Sequence, residues 1–360
     1  MIKTFGYIFW AFLLVFLSAC ERKPVVYHEQ LLVFGTVVDV KLWGVKETPG
    51  QQATARLADD FAYMHNAWHA WQPGPLGRVN QLLASGESFT MPPSILPLIQ
   101  RSSKLSLSSN GLFNPAIGKL TAIWGFASDD PPKGPPPSAE AIRAILDQQP
   151  NMKDIRLNGL TMQSNNPALK LDFGAFAKGY AVDRAIEMLR EMGINNAVIN
   201  AGGDLRAIGR HGDRPWRVGI RHPRKAGILA SVEVEGDESV FTSGDYERYF
   251  DWQGTRYDHI IDPRNGYPAQ GLSSVTVFAR QADLADAAAT ALFVAGPDEK
   301  NWLPIARAMG VTGVMLVDKD GQVQLTPSIR GRIYFIPPDG NTEENNTEQT
   351  SPGIHISTAL

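Results

Sequence analysis

The chain has 360 residues, 43% of them hydrophobic, with 34 basic side chains against 37 acidic ones and a net charge of −3. That length allows about two domains or one large two-lobed one, and the apolar share is ordinary for a chain that buries a sizeable core. Near balance of charge, with no basic stretch after the N-terminus, argues against binding nucleic acid through its phosphates.

The first residues read as a targeting segment. Lys3 precedes a nearly unbroken apolar run from Phe5 to Phe16, shorter than the roughly 20 residues a membrane-spanning helix needs, so a signal peptide fits better. It ends in Leu17-Ser18-Ala19-Cys20, which resembles the lipobox of bacterial lipoproteins, where the cysteine is lipidated and becomes residue one. Cys20 is also the single cysteine, which excludes internal disulfides and cysteine-rich metal sites. The expected organisation is a signal peptide over 1–19, a tether over 20–30, a folded domain over 31–336 and a tail over 337–360. The expected location is the periplasm, anchored to a bacterial membrane, the inner one by preference although Glu21 does not itself select it.

Leu31 to Trp43 alternates apolar and polar residues and reads as one strand containing Phe34-Gly35-Thr36. Gln52 to Trp68 and Ser94 to Ser108 read as amphipathic helices, followed by Asn110 to Lys119 and Trp124-Gly125-Phe126. Ser128 to Pro137 is a proline-rich loop, and Ser138 caps a helix with Ile142 and Ile145 on one face. Asn158-Gly159 marks a tight hairpin. A strand is expected to end at Leu171-Asp172, with a helix after it whose stripe is Ala177, Ala181, Ala185, Met188, Leu189 and Met192. Strands are then expected at 197–199, 216–220, 229–234, 256–261, 274–278, 314–317 and 333–336, with helices at 282–294 and 299–308. The Asn-, Thr-, Glu- and Pro-rich tail from Pro337 to Leu360 reads as disordered. The balance predicts an α+β fold with mixed or antiparallel sheet and flanking helices.

The most informative run is Leu171 to Asp183, with Asn200-Ala-Gly-Gly-Asp204 one helix and strand later. A lysine, Lys178, falls in the first helical turn, where a cation opposes the helix dipole by roughly 0.3–1 kcal/mol. An anion such as phosphate at that helix end would account for it; a strand–turn–helix joint with a solvent-facing lysine is the alternative. The paired glycines before Asp204 allow a close backbone approach to a ligand or make an ordinary turn. Asp286 and Thr290 are four residues apart on the helix opened by Asp283, so they share a face. A carboxylate among alanines is expensive to bury unless paired or metal-bound, and oxygen-only ligands suit Mg²⁺. Asp283 itself fits a helix cap. His259, at a strand end beside Asp262-Pro-Arg264-Asn-Gly266, is either structural or a general base, and Thr242 to Tyr246 reads as a polar turn.

Together and in this order, these pieces resemble the ApbE family, the FAD:protein FMN transferases. The matching residues are Phe34-Gly-Thr36, Asn114-Pro-Ala to Trp124-Gly-Phe126, Leu171 to Asp183, Asn200 to Asp204, Thr242 to Tyr246, His259 to Arg264 and Ala285 to Leu292. The resemblance implies a Mg²⁺-dependent enzyme that cleaves the pyrophosphate of FAD, attaches FMN through a phosphoester to a threonine of a target flavoprotein and releases AMP. It implies metal ligands at the Ala175 carbonyl and the side chains of Asp286 and Thr290. It implies FAD contacts at Phe34, Trp71, Leu112, Phe113, Asn114, Asp172, Lys178, His259 and Ile260, with His259 and Lys178 acting in catalysis. The implied acceptor is an extracytoplasmic flavin subunit of a redox-driven ion pump or related reductase. Phe34 stands where methionine is usual, Trp71 where tyrosine is common, and Asn114 where aspartate is frequent. Hydrolysis of FAD by water at the same site, and a non-catalytic flavin-binding lipoprotein, are the competing readings.

Overall fold

The computed structural model describes residues 26–128, 130, 132–234, 236–336 and 354–360. Cys20 and the leader lie outside the described residues. A hairpin comes first, β1 (Val26–Val33) and β2 (Thr36–Trp43). The single strand expected over 31–43 is therefore broken, because Phe34 and Gly35 both take positive φ (56° and 68°). Two consecutive left-handed residues make the tight turn whose twist matches paired strands. β1 also claims residues 26–30, which the sequence reading had placed in the tether.

Helices α1 (Glu47–Trp68) and α2 (Pro75–Leu83), the short strand β3 (Phe89–Thr90) and helix α3 (Leu96–Ser108) follow. Then come α4 (Gly118–Ile123), α5 (Ala139–Leu146), and the hairpin β4 (Arg156–Asn158) and β5 (Thr161–Gln163). Ser138 caps α5 as expected, accepting from the Ala141 N–H. Leu171-Asp172 is not a strand: one bridge, Lys170 to Ile117, precedes it. Helix α6 (Ala177–Glu191) leads into β6 (Ala197–Ala201) and β7 (Asp204–Gly209), then β8 (Trp216–Arg221) and β9 (Ile228–Val234). β10 (Gly236–Gly244) runs through Thr242 and Ser243, so most of the expected polar turn is strand. The hairpin β11 (Tyr249–Trp252) and β12 (Thr255–Asp258) ends just before His259, and β13 (Leu272–Ala279) feeds helix α7 (Ala282–Ala295). The chain closes with α8 (Glu299–Met309), β14 (Gly313–Asp318), β15 (Val323–Leu325), α9 (Pro327–Arg330), β16 (Ile333–Phe335) and β17 (Ile354–Ile356). The last strand corrects the expectation of disorder throughout 337–360: residues 354–356 pair in parallel with β15.

The main sheet has nine strands in the order β1-β2-β6-β7-β10-β13-β14-β15-β17, antiparallel throughout except at β15–β17. One face, through Val38, Val40, Ile199, Val275 and Val277, packs on the helices. The other, through Val198, Leu205, Val240 and Phe278, packs on the three-stranded sheet β16-β9-β8. This is the expected α+β arrangement. α7 lies against β10, β13 and α6. It is buried almost all round, as an alanine-rich helix without a polar face must be. It carries two buried acids, Asp283 and Asp286, into that setting.

Candidate active site

The site forms where α6 and α7 begin side by side. Gly179, in the first turn of α6, has the Ala282 carbonyl oxygen and Asp283 Cα where a Cβ would stand, the latter at 2.9 Å. Only glycine lets the two helices approach this closely. Across that contact the Gly179 N–H donates to Asp286 Oδ2 at 2.9 Å. As one of the first N–H groups of α6 it has no partner within the helix, and Asp286 supplies the acceptor. Ser243 Oγ on β10 lies 3.3 Å from Thr290 Oγ1, one helical turn after Asp286.

Lys178 does not face solvent. Its ammonium is paired with Asp204, at the start of β7, the two side chains being 26% and 7% exposed. Asp204 is held in turn by the Thr242 N–H, which donates to Oδ1 at 2.8 Å. Burial works against the Lys178 charge, but Asp204, Asp286 and Glu247 outweigh it and hold its pKa above the ordinary lysine range. Protein carboxylates therefore already supply counter-charge to the helix-end lysine, alongside any anion expected there. The Asp286 carboxyl shows the opposite imbalance. Burial pushes its pKa up, Lys178 pulls it down, and Asp204 and Glu247 push it up again. A buried carboxylate under repulsion from two others is a place where a cation is stabilised. Among the described residues no three His, Cys, Asp or Glu side chains gather to chelate an ion by themselves. The oxygen set of Asp286, Thr290 and the Ala175 carbonyl fits Mg²⁺, which completes its shell with waters and substrate phosphates.

His259 stands just past β12. Its Nδ1 lies 3.2 Å from the Arg248 carbonyl oxygen, which only accepts, so Nδ1 carries the hydrogen and Nε2 presents its lone pair. Burial, then the Arg248 charge, lowers its pKa from the usual histidine value to about 4. Asp172 Oδ1 accepts the Gly174 N–H at 2.9 Å, shaping the turn into α6. Burial raises its pKa against that hydrogen bond and the nearby charges of Lys170, Arg248 and His69.

An aromatic wall runs from the first hairpin along the end of α1. Phe34 meets Phe61 edge-on at 5.4 Å and His65 at 5.9 Å, His65 meets His69 at 5.5 Å, and His69 meets Trp71 at 4.7 Å. His65 and His69 were not singled out in the sequence; their spacing of four on a helix end was the signal. Three of the expected ligand contacts also carry packing or hydrogen bonds within the fold. Phe113 is buried against Phe176, and its N–H donates to Ser109 Oγ. Ile260 is buried, its N–H donating to Asp258 Oδ1 and its carbonyl accepting from the Ala269 N–H. Asn114 uses both ends of its amide, donating to the Pro150 carbonyl and accepting from the Ala116 N–H. Leu112 and Asn114 also line a cavity of about 360 Å³ with Gln149, Pro263 and Arg264.

Sequence reasoning also misassigned Asp283. Its carboxylate is gripped by Arg101 at 2.6 and 2.8 Å, and the α7 N-terminus is capped by Asp183, which accepts the N–H groups of Ala282 and Asp283 at 2.8 and 3.0 Å. Asp183 and Ser243 belong to the site through partners distant in sequence, which no local motif marks.

Comparison with known proteins places this architecture. The model of the ApbE family matches residues 34–314, and the chain belongs to that family. A Rhodobacter capsulatus protein named FAD:protein FMN transferase is 44% identical over 308 residues, covering 86% of this chain but 58% of its own length. The Vibrio cholerae protein of the same name is 30% identical over 316 residues, 85% of this chain and 92% of its own. Among solved structures, an ApbE protein from Thermotoga maritima superposes with a TM-score of 0.76 at 29% identity, covering 83% of this chain and 96% of its own. The flavinyl transferase ApbE of Pseudomonas stutzeri, in its apo form, gives 0.73 at 29% identity, covering 85% and 96%.

Proposed function

We propose that this chain is a Mg²⁺-dependent FAD:protein FMN transferase, joining the FMN half of FAD to a threonine hydroxyl of a target flavoprotein and releasing AMP. The observation that carries the reading is the buried Asp286 carboxylate, facing the Lys178 charge and bonded to the Gly179 N–H at the start of α6, with Thr290 one turn further on, in a chain of the ApbE family. Asp286, Thr290 and the Ala175 carbonyl would hold Mg²⁺, which when bound offsets negative charge on the pyrophosphate.

The remaining work falls to the chain's own groups. Lys178, fixed by Asp204, places a positive charge at the start of α6, where the phosphates are also met by the helix N-terminus. Phe34 and Trp71 offer flat apolar surface to a ring system. Nε2 of His259 accepts the proton of the acceptor threonine as its oxygen bonds to the FMN phosphorus. The bond from that phosphorus to the bridging oxygen breaks, and the oxygen leaves with AMP. The acceptor would be an extracytoplasmic flavin subunit of a redox-driven ion pump or related reductase. Lipid on Cys20 would tether the enzyme to the inner membrane on its periplasmic side.

The test mixes purified protein, FAD, Mg²⁺ and a candidate acceptor domain. Flavinylated acceptor with one AMP per flavin supports the proposal. Free FMN plus AMP with unmodified acceptor would replace transfer by hydrolysis, and intact FAD would reduce the chain to a binder.

A further inference from the structure

The two helices that build the site cap each other. Asp286 of α7 accepts an N–H from the first turn of α6, that of Gly179. Asp183, two turns along the body of α6, accepts the first N–H groups of α7, those of Ala282 and Asp283. The N-cap residue of α7, Gln281, makes no side-chain cap of its own, so Asp183 supplies the acceptors that the helix end needs. Asp183 is buried and is itself paired with buried Arg206. Arg206 also bonds Asp237 on β10.

We propose that Asp183 is a positioning residue for the cation site: by capping α7 across the helix pair, it fixes the depth and rotation at which Asp286 and Thr290 stand against the start of α6. The inference rests on the reading of Asp286 and Thr290 as ligands. The geometry is over-determined. Sliding α7 along α6 breaks the two Asp183 bonds and the Gly179–Asp286 bond together, and the Gly179–Ala282 contact leaves no room for a tilt. Each carboxylate holds one end of the pair, so the ligand Asp286 is aimed by an acid that never touches the ion. Groups that orient metal ligands in this way typically cost about 10–100-fold in metal affinity when removed.

The experiment titrates Mn²⁺, as a probe for Mg²⁺, into the FAD-free protein and counts bound ion by electron paramagnetic resonance. Asp183→Asn keeps the shape but turns one acceptor into a donor facing an N–H. It is expected to weaken Mn²⁺ binding about tenfold or more while the thermal transition stays cooperative. Gly179→Ala, which adds no charge and wedges the helices apart, is expected to do the same by steric means. Asp237→Asn breaks the same network beyond Arg206 and is expected to lower Tm but leave Mn²⁺ affinity within twofold. Wild-type affinity in a folded Asp183→Asn protein overturns the proposal, as does an equal loss in Asp237→Asn. If Asp183→Asn does not fold, the Gly179→Ala and Asp237→Asn pair decides by the same criteria. Absence of Mn²⁺ binding in the wild type, or its persistence in Asp286→Asn, overturns the ligand reading itself and the proposal with it.

Discussion

Lys178 on α6 and Asp204 on β7 form an ion pair that joins the helix layer to the main sheet at the site. The pair explains how a lysine is kept in a first helical turn. It also predetermines where the ammonium stands before any phosphate arrives, so its orientation costs nothing at the moment of reaction.

The first prediction follows from that arrangement. Lys178→Met should lower FMN transfer by a factor on the order of 10²–10³, the scale of losing one preorganised charge-stabilising donor. It also strips Asp204, Asp286 and Glu247 of their shared cation. The mutant's Tm should therefore fall further below wild type at pH 8, where Asp286 and Glu247, both raised to about 7, ionise, than at pH 5. An equal deficit at both pH values would show that the lysine does not balance these acids.

The second prediction concerns the cation. Asp286→Asn or Thr290→Val should cut transfer on the order of 10²-fold, with a smaller loss of FAD affinity, because the aromatic wall and Lys178 remain. EDTA should abolish wild-type transfer and added Mg²⁺ should restore it. Full activity in EDTA would remove the metal from the reading.

Much of this was legible in the sequence because it is local. The α7 face bearing Asp286 and Thr290, the glycine-rich entry to α6 and the Ser138 cap each lie within a few residues, where helical spacing and turn chemistry speak directly. What stayed hidden depends on pairing at a distance. Asp183 caps a helix about 100 positions later, and nothing near it marks that role. Phe34-Gly35 does not mark a turn in the sequence, because the apolar run from Leu31 continues through Phe34 and Val37 resumes it two residues after Gly35. β7 alternates polar and apolar residues at its start, yet every residue but the last is buried, because Asp204 and Arg206 find partners distant in sequence, Lys178 and Asp183. The end of the tail is polar enough to read as disordered, yet three of its residues complete a sheet edge.

The third prediction is a stability profile. Burial raises the Asp258 pKa to about 7 and also raises that of Asp286, against about 4 for an unfolded aspartate. Between those values the folded chain holds protons that the unfolded chain has released, so these groups make stability fall as pH rises toward 7. His259 acts oppositely: its folded pKa near 4 lies below the unfolded value, and stability is lost as pH falls from about 6.5 toward 4. Metal-free protein should therefore melt at a lower temperature at pH 8 than at pH 6. Mg²⁺ should recover part of the difference, and Asp258→Asn, which mimics the protonated acid, should flatten the slope. A metal-free Tm that climbs between pH 6 and pH 8 contradicts the assignment.

The fourth prediction addresses the anchor, whose residues precede the described fold. Cys20→Ala should prevent lipidation and give a soluble or unprocessed protein that retains FMN transfer once folded. Unchanged membrane fractionation and mass in the mutant would remove the lipoprotein reading.

The last prediction concerns His259. If Nε2 takes the acceptor threonine's proton, His259→Ala should slow transfer by about 10²–10⁴, the usual loss for a general base. FAD affinity should change little, since the groups that hold the phosphates are elsewhere. An ordinary histidine would give a rate that rises with pH through 6 to 7. Burial and Arg248 depress this one to about 4, so it is already neutral and able to accept a proton at pH 6. The histidine limb of the wild-type profile should therefore lie near pH 4, with a plateau from about pH 5.5 upward unless another group titrates, and the limb should vanish in the mutant. The rival role is structural, through the bond from Nδ1 to the Arg248 carbonyl. It predicts a loss of stability or of FAD binding with the profile unchanged. Single-turnover transfer at saturating FAD, measured from about pH 3.5 to 8.5 for both proteins so that the limb near pH 4 is covered, separates the two. Near-normal turnover in His259→Ala would take the residue out of the chemistry.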